Sequence, residues 1–170
     1  MDFSLREFQS VDFKTLWWID QGCFPPGIAY SKEELKAYVS GAGVFTLVAE
    51  ASSENSKTLG ADPNGKADGE WAVDSSIIGF IVAQKNRSGV GHIVTIDVLP
   101  KGRRSGIGSR LLMAAEERLR NAQCRRGRLE AAVDNSPALI FYERHGYSVF
   151  QTISAYYSNG ANAFVLAKDL

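Results

Sequence analysis

The chain has 170 residues, 45% hydrophobic and 22% charged, with 19 Lys and Arg against 19 Asp and Glu. That length suits one domain with its own core, and the zero net charge gives no reason to expect a nucleic acid or a membrane as partner. Cys23 and Cys124 are too few and too far apart for a disulfide scaffold and form no metal or redox pair, so a metal-free protein in the reducing cytoplasm is expected. Polar, mixed-charge Met1–Ser10 does not read as a signal peptide, and no apolar run is long enough to span a bilayer.

Phe8, Val11, Leu16 and Ile19 fall near helical spacing and predict a first helix ending at Cys23, before Pro25-Pro26-Gly27. Ser31, followed by Glu33-Glu34 and then Leu35 and Val39, predicts a second helix with its own N-cap, running to about Ser40. Val44–Ala49 and Ile77–Ala83 are rich in β-branched and aromatic residues and predict neighbouring strands. Residues 51–76 between them are heavy in Ser, Asn, Asp, Gly and Lys, with Trp71 as the large aromatic. They predict a flexible hairpin insertion, either a substrate-side flap or a tolerated surface loop.

His92–Val98 predicts the next strand, closed by Pro100 and a basic, glycine-containing loop from Lys101 to Gly108. The following helix carries an apolar stripe of Ile107, Leu111, Leu112, Ala115 and Leu119, with Glu116, Glu117, Arg118 and Arg120 largely facing water. Gly127–Val133 reads as a strand, Asn135-Ser136-Pro137 as a helix start, His145-Gly146-Tyr147 as its stop, and Ser148–Ile153 and Ala163–Ala167 as closing strands. The order predicts a mixed α and β domain over residues 1–170, with hairpins first and a β-α-β crossover in the middle.

The loop from Lys101 is the most informative stretch. A strand running through a turn with two glycines into a helix aims free N–H groups and the positive helix end at one spot, which suits an anion. Gly106 and Gly108 leave room for a diphosphate to approach the backbone, and Lys101, Arg103 and Arg104 add charge at the rim. Leu111 stands where a dinucleotide fingerprint needs its third glycine, and no Gly-Lys-Ser/Thr ends the turn.

Arg103-Arg104-Ser105-Gly106-Ile107-Gly108, after Ile96-Asp97-Val98-Leu99-Pro100 and before an amphipathic helix, resembles the coenzyme A signature of the GNAT acetyltransferases. GHIVTIDVLPKGRRSGIG and LEAAVDNSPALIFYERHGY look most like protein N-terminal acetyltransferases, including the ribosomal-protein-alanine type and its archaeal relatives. The resemblance implies a mostly antiparallel central sheet flanked by helices, and acetyl-coenzyme A as cosubstrate. By the same resemblance, Ile96 and Val98 would pair their backbone with the pantetheine arm. Arg103, Arg104, Ser105, Gly106, Ile107, Gly108 and Ser109 would hold the pyrophosphate, and Asn135 would contact the coenzyme farther along.

Acetyl transfer to an amine needs a base, a stabilised oxyanion and a proton for the departing thiolate. Glu130 matches the family's glutamate base, although a pairing with Arg126 or Arg128 on an exposed strand face is the plainer reading of the residue alone. Tyr142 matches the tyrosine that protonates the thiolate; it stands two helical turns after Asn135 and on the same side. Packing is the alternative for Tyr142, and helix capping for Asn135. His92 is a second candidate base: some archaeal relatives use it with an acid from the loop after the first helix, where this chain reads Phe24-Pro25-Pro26-Gly27. His145 reads as a dipole partner at a helix end.

Asp97 departs from the small apolar residue common in relatives; it is either a substrate contact or a partner for a nearby arginine. Tyr156 and Tyr157 resemble the paired tyrosines that hold a substrate peptide, without the acids that follow them in close relatives. The expected acceptor is a protein or peptide N-terminus. A small-molecule amine is the runner-up, and a non-catalytic acetyl-coenzyme A-binding module is the alternative of another class. The sequence leaves the oligomeric state open.

Overall fold

The computed structural model describes residues 2–52 and 76–170. The hairpin expected over 51–76 lies outside the described residues except for Ala51, Ser52 and Ser76. Among these residues seven strands form one sheet in the order β1-β2-β3-β4-β5-β7-β6: β1 (Phe3–Glu7), β2 (Val44–Ala51), β3 (Ile77–Lys85), β4 (Val90–Val98), β5 (Arg126–Ala132), β6 (Ser148–Ile153) and β7 (Ala163–Asp169). Among the described residues every neighbouring pair is antiparallel except β4 and β5, which are joined through a helix.

Among the described residues four α-helices cover the two faces: α1 (Phe13–Cys23) and α2 (Lys32–Val39) on one, α3 (Ile107–Asn121) and α4 (Ser136–Arg144) on the other. Leu16, Ile19 and Leu35 pack with Val48, Ile77, Phe80 and Val82 beneath α1 and α2. The predicted stripe of α3 is buried throughout, with Leu111, Leu112, Ala115 and Leu119 fully covered. Each such Leu contributes about 1.5–3 kcal/mol. Gly91 lets α3 sit close to β4, since a Cβ there would lie 2.5 Å from the Leu119 side chain.

Three expectations need correction. The chain begins with a strand, not a helix: Phe3 and Leu5 turn toward the α3 side, while Arg6 bonds Asp12 at 2.7 Å and Glu50 at 2.9 Å. The first α-helix therefore starts at Phe13, after a 3-10 turn at Ser10–Asp12, and Val11 is 79% exposed instead of belonging to the buried stripe. Glu116 does not face water. It is 3% exposed and receives Lys168 Nζ at 2.8 Å and Arg120 at 3.2 Å.

Ser31 caps α2 as its sequence predicts, accepting from the Glu34 N–H at 3.2 Å while Glu34 accepts from the Ser31 N–H at 2.8 Å. Asn135 caps α4 by accepting from the Ala138 N–H at 3.3 Å, and Gly146 at φ +86° ends that helix.

Candidate active site

The site begins with a ladder that stops early. β4 and β5 pair only at Val90 with Arg126, Gly91 with Gly127 and His92 with Arg128, although β4 runs on to Val98 and β5 to Ala132. Beyond His92 the strands diverge, leaving an opening in the middle of the sheet with free strand edge along it. A register shift against β3 between Ile93 and Thr95 re-aims the side chains beyond it. Ile96 and Val98 pack toward α3, whereas Thr95 and Asp97 are buried on the other side. The Val98 carbonyl is already engaged, by Arg103 Nε at 3.0 Å and Cys23 Sγ at 3.5 Å.

At one end of this opening, α3 starts without a side-chain cap. Gly106 precedes it at φ +85°, a conformation that favours glycine, and Arg104 is also left-handed at φ +62°. Ser105 closes the turn by donating to the Gly102 carbonyl at 2.6 Å. The first-turn N–H groups of α3 therefore have no partner within the helix, and Gly106 faces open space, with nothing within 4 Å of where a Cβ would stand. Arg103 and Arg104 are exposed at the rim. Gly108 differs from expectation: its bare side points at the Phe141 ring, 3.4 Å from a notional Cβ, so it serves the approach of α4. Ser109 contacts His145 Nε2 at 3.0 Å, while His145 Nδ1 bonds the Phe141 carbonyl at 2.7 Å near the C-terminus of α4.

Where the ladder ends, His92 Nε2 meets Glu130 Oε2 at 2.6 Å, and Arg128 meets Glu130 Oε1 at 2.6 Å. The pairing of Glu130 with Arg128 is thus present, while Arg126 turns to Asp169 at 3.3 Å. The Glu130 side chain is 7% exposed and that of His92 32%. Burial alone would raise the Glu130 carboxyl, but hydrogen bonding and charge from His92, with Arg128 behind them, hold it below the usual carboxylate range. Glu130 is therefore ionised at neutral pH.

Tyr142 is 6% exposed. Burial first, then the fields of Asp97 and Tyr157, push its phenol above the ordinary tyrosine value, so it keeps its proton. Tyr156 and Tyr157 stack edge to face at 4.9 Å, and both lie in the field of Glu130. They face a second aromatic pair, Tyr30 and Tyr38, whose centroids are 5.1 Å apart. Tyr38 stands on α2, and the loop that carries Tyr30 touches the one that carries Tyr156 and Tyr157: Ser158 donates to the Gly27 carbonyl at 3.1 Å, and a Cβ on Gly27 would lie 2.7 Å from Asn159 Cβ.

The opening therefore has two sides. One offers bare N–H groups, free strand edge and arginines, which suits a diphosphate on an extended arm. The other offers the Glu130 carboxylate against an imidazole, a group that can take a proton, beside the phenols of Tyr156 and Tyr157, with the protonated Tyr142 of α4 in the field of Tyr157. Of the residues singled out in the sequence, Glu130, Tyr156 and Tyr157 stand on this side, with Arg128 as one of the two arginines offered there as partners of Glu130, while Tyr142 comes from the α4 side; Tyr30 and Tyr38 were not singled out. Tyr30 had a signal, an aromatic closing the loop after α1 just before the Ser31 cap.

A model of the acetyltransferase (GNAT) family matches residues 13–147, and the chain belongs to that family. An N-alpha-acetyltransferase of Saccharolobus solfataricus is 31% identical over 110 residues, 58% of this chain and 66% of the relative. One from Sulfurisphaera tokodaii is 36% identical over 81 residues, 47% of this chain and 48% of the relative. The match thus spans less than two thirds of the length of these relatives.

The crystal structure of Ard1 from Thermoplasma volcanium has the same fold, with a TM-score of 0.78 at 23% identity, covering 100% of this chain and 99% of the other. The ribosomal-protein-S18-alanine N-acetyltransferase of Escherichia coli follows with a TM-score of 0.76 at 16% identity, covering 99% and 94%.

Proposed function

We propose that this protein works as a single domain that moves the acetyl group of acetyl-coenzyme A onto a primary amine by direct attack, the acceptor being the α-amino group of a protein or peptide. The observation that carries the reading is the 2.6 Å contact between Glu130 and His92 at the end of the β4–β5 ladder, on the same opening as the bare N-terminus of α3. Family membership and the N-alpha-acetyltransferase names of the relatives support it.

The residues fit the coenzyme. Gly106 opens onto free space beside uncapped N–H groups, so Arg103, Arg104, Ser105, Gly106, Ile107, Gly108 and Ser109 would hold the pyrophosphate. Ile96 and Val98 offer backbone on the unpaired stretch of β4 to the pantetheine arm. Asn135 contacts the coenzyme from the start of α4. When bound, the coenzyme supplies the acetyl group as an activated thioester.

Everything else falls to the chain. Glu130 draws a proton from the incoming amine, with His92 as the second member of the pair and Arg128 fixing the other carboxylate oxygen. Tyr142, kept protonated by its burial, hands a proton to the departing sulfur. Tyr156 and Tyr157 hold the acceptor's backbone, opposite Tyr30 and Tyr38. No covalent enzyme intermediate is needed, because the amine itself is the nucleophile.

The test is an acetylation screen of a peptide library beside a panel of small amines, read by mass. Acetyl groups on peptide α-amines are expected. Product from the small-amine panel alone moves the acceptor to that class, and coenzyme binding without any product overturns the enzyme reading in favour of a binding module.

A further inference from the structure

Asp20 of α1 and Asp97 of β4 take no part in the chemistry above, yet they are among the most deeply buried acids in the described structure, 0% and 1% exposed. Each uses only one of its oxygens. Asp97 Oδ1 accepts from Thr95 Oγ1 at 2.7 Å, and Asp20 Oδ2 accepts from the Tyr30 N–H at 2.9 Å and from Gln21 Nε2 at 3.0 Å. Among the described residues, Asp97 Oδ2 and Asp20 Oδ1 are buried without a hydrogen-bond partner. Two carboxylates in this state would each leave a desolvated anionic oxygen unanswered, in the field of a like charge. A single proton on one of the two acids removes one charge of the pair, and one water between the orphaned oxygens passes the hydrogen bond on to the other.

Among the described residues, the groups that face the pair do not neutralise it. Around Asp97 stand Asp20 and Cys23 of α1, Tyr30 of the following loop, Tyr142 of α4 and Arg103 beyond β4. Around Asp20 stand Glu34 of α2 and Cys23. Arg103 is the one cation in this set, and it is exposed with its Nε committed to the Val98 carbonyl.

Asp20 also reaches the acceptor side. Its carboxylate holds the Tyr30 N–H, Gln21 Nε2 holds the Tyr30 carbonyl at 2.9 Å, and the Tyr30 hydroxyl donates to the Val94 carbonyl at 3.2 Å. Tyr30 closes the loop of residues 24–31, whose Gly27 touches the Ser158–Asn159 turn.

We propose that Asp20 and Asp97 share one proton across the seam between α1 and β4, and that this proton seats the acceptor loop: when it is lost, two buried anions repel and the loop loosens. Both are positioning residues, and Asp97 is a neutral acid acting as a donor, a role open to a carboxyl in a dry site. The direction of titration agrees. Burial first raises the Asp20 carboxyl to about 6, and burial followed by the Asp20 charge drives Asp97 well above the ordinary aspartate value. At neutral pH the proton therefore rests on Asp97.

The kinetic consequence depends on the acetyl-transfer reading; the protonation state does not, and the experiment separates the two. Carbon-13 carboxyl NMR of the wild-type chain, Asp97→Asn and Asp20→Asn is recorded from about pH 5 to about pH 10. One side-chain carboxyl should stay protonated at neutral pH in the wild type and vanish in Asp97→Asn. In Asp20→Asn it should titrate at lower pH, because the like charge is gone. Two ionised carboxyls at neutral pH in the wild type, or an Asp97 titration unmoved by Asp20→Asn, overturn the shared proton.

In parallel, the acceptor KM should rise severalfold as the pH climbs through the Asp97 titration, stay flat in Asp97→Asn, and leave the acetyl-coenzyme A KM unchanged in both. A flat wild-type acceptor KM overturns the positioning role. Absence of any acetylated amine with the protonated carboxyl in place contradicts acetyl transfer and leaves the pair standing.

Discussion

Glu130 is held by two cationic or cation-capable partners, and this shapes what it can do. An isolated glutamate pulled below its usual range is a poor proton acceptor, yet one sharing a 2.6 Å contact with an imidazole works as half of a pair. In the proposed reaction the proton taken from the amine passes to this pair. Glu130→Gln keeps the shape and removes the charge; Tyr142→Phe keeps the ring and removes the proton. Each should lower turnover roughly 10²–10⁴-fold, with acetyl-coenzyme A binding retained in calorimetry. Turnover at the wild-type level in either variant would remove that residue from the mechanism. The contact between Glu130 and Arg128 was visible in the sequence as alternate residues on one strand face. The contact with His92 was not, because it depends on the register of two strands separated by α3.

At the scale of elements, α3 and β7 are tied by a charge that the helical pattern of α3 misassigned. Glu116 follows Ala115 of the apolar stripe, and a wheel places it at the border; only the arrival of β7 buries it, bringing Lys168 with it. Lys168→Met should destabilise the fold by about 2 kcal/mol, less than the ~3–5 of a fully stranded buried charge because Arg120 remains. Urea unfolding measures this, and adding Glu116→Leu should recover part of the loss, whereas an unchanged midpoint in the single variant would show the contact to be idle. Helices with local caps were readable, since Ser31 and Asn135 carry their own start signals. β1 was not. Its five residues hold only Phe3 and Leu5 as an inward pair, too short an alternation to outweigh the helix that follows, and its pairing with β2 spans more than forty residues of chain, from Phe3 to Ala51.

In the whole molecule, the break in the β4–β5 ladder joins two faces that otherwise have separate cores. α3 and α4 bring the glycine turn and Tyr142 from one side; the loop after α1, α2 and the β6–β7 turn bring four tyrosines from the other. The donor side was largely readable because it is contiguous in sequence, running from Gly91 through α3. The acceptor side is assembled from segments more than a hundred residues apart, such as Gly27 and Ser158, and no local pattern announces that they meet. A conjugate of coenzyme A with a peptide α-amine spans both sides, so its effect on backbone amide resonances is the most direct measurement. Occupation of the opening predicts shifts at Ile96, Val98 and Gly106–Ser109 together with Tyr30, Glu130, Tyr156 and Tyr157. Coenzyme A alone should move only the first group. Shifts confined to another surface, or no binding of the conjugate, would contradict the opening between β4 and β5 as the place where acetyl group and amine meet.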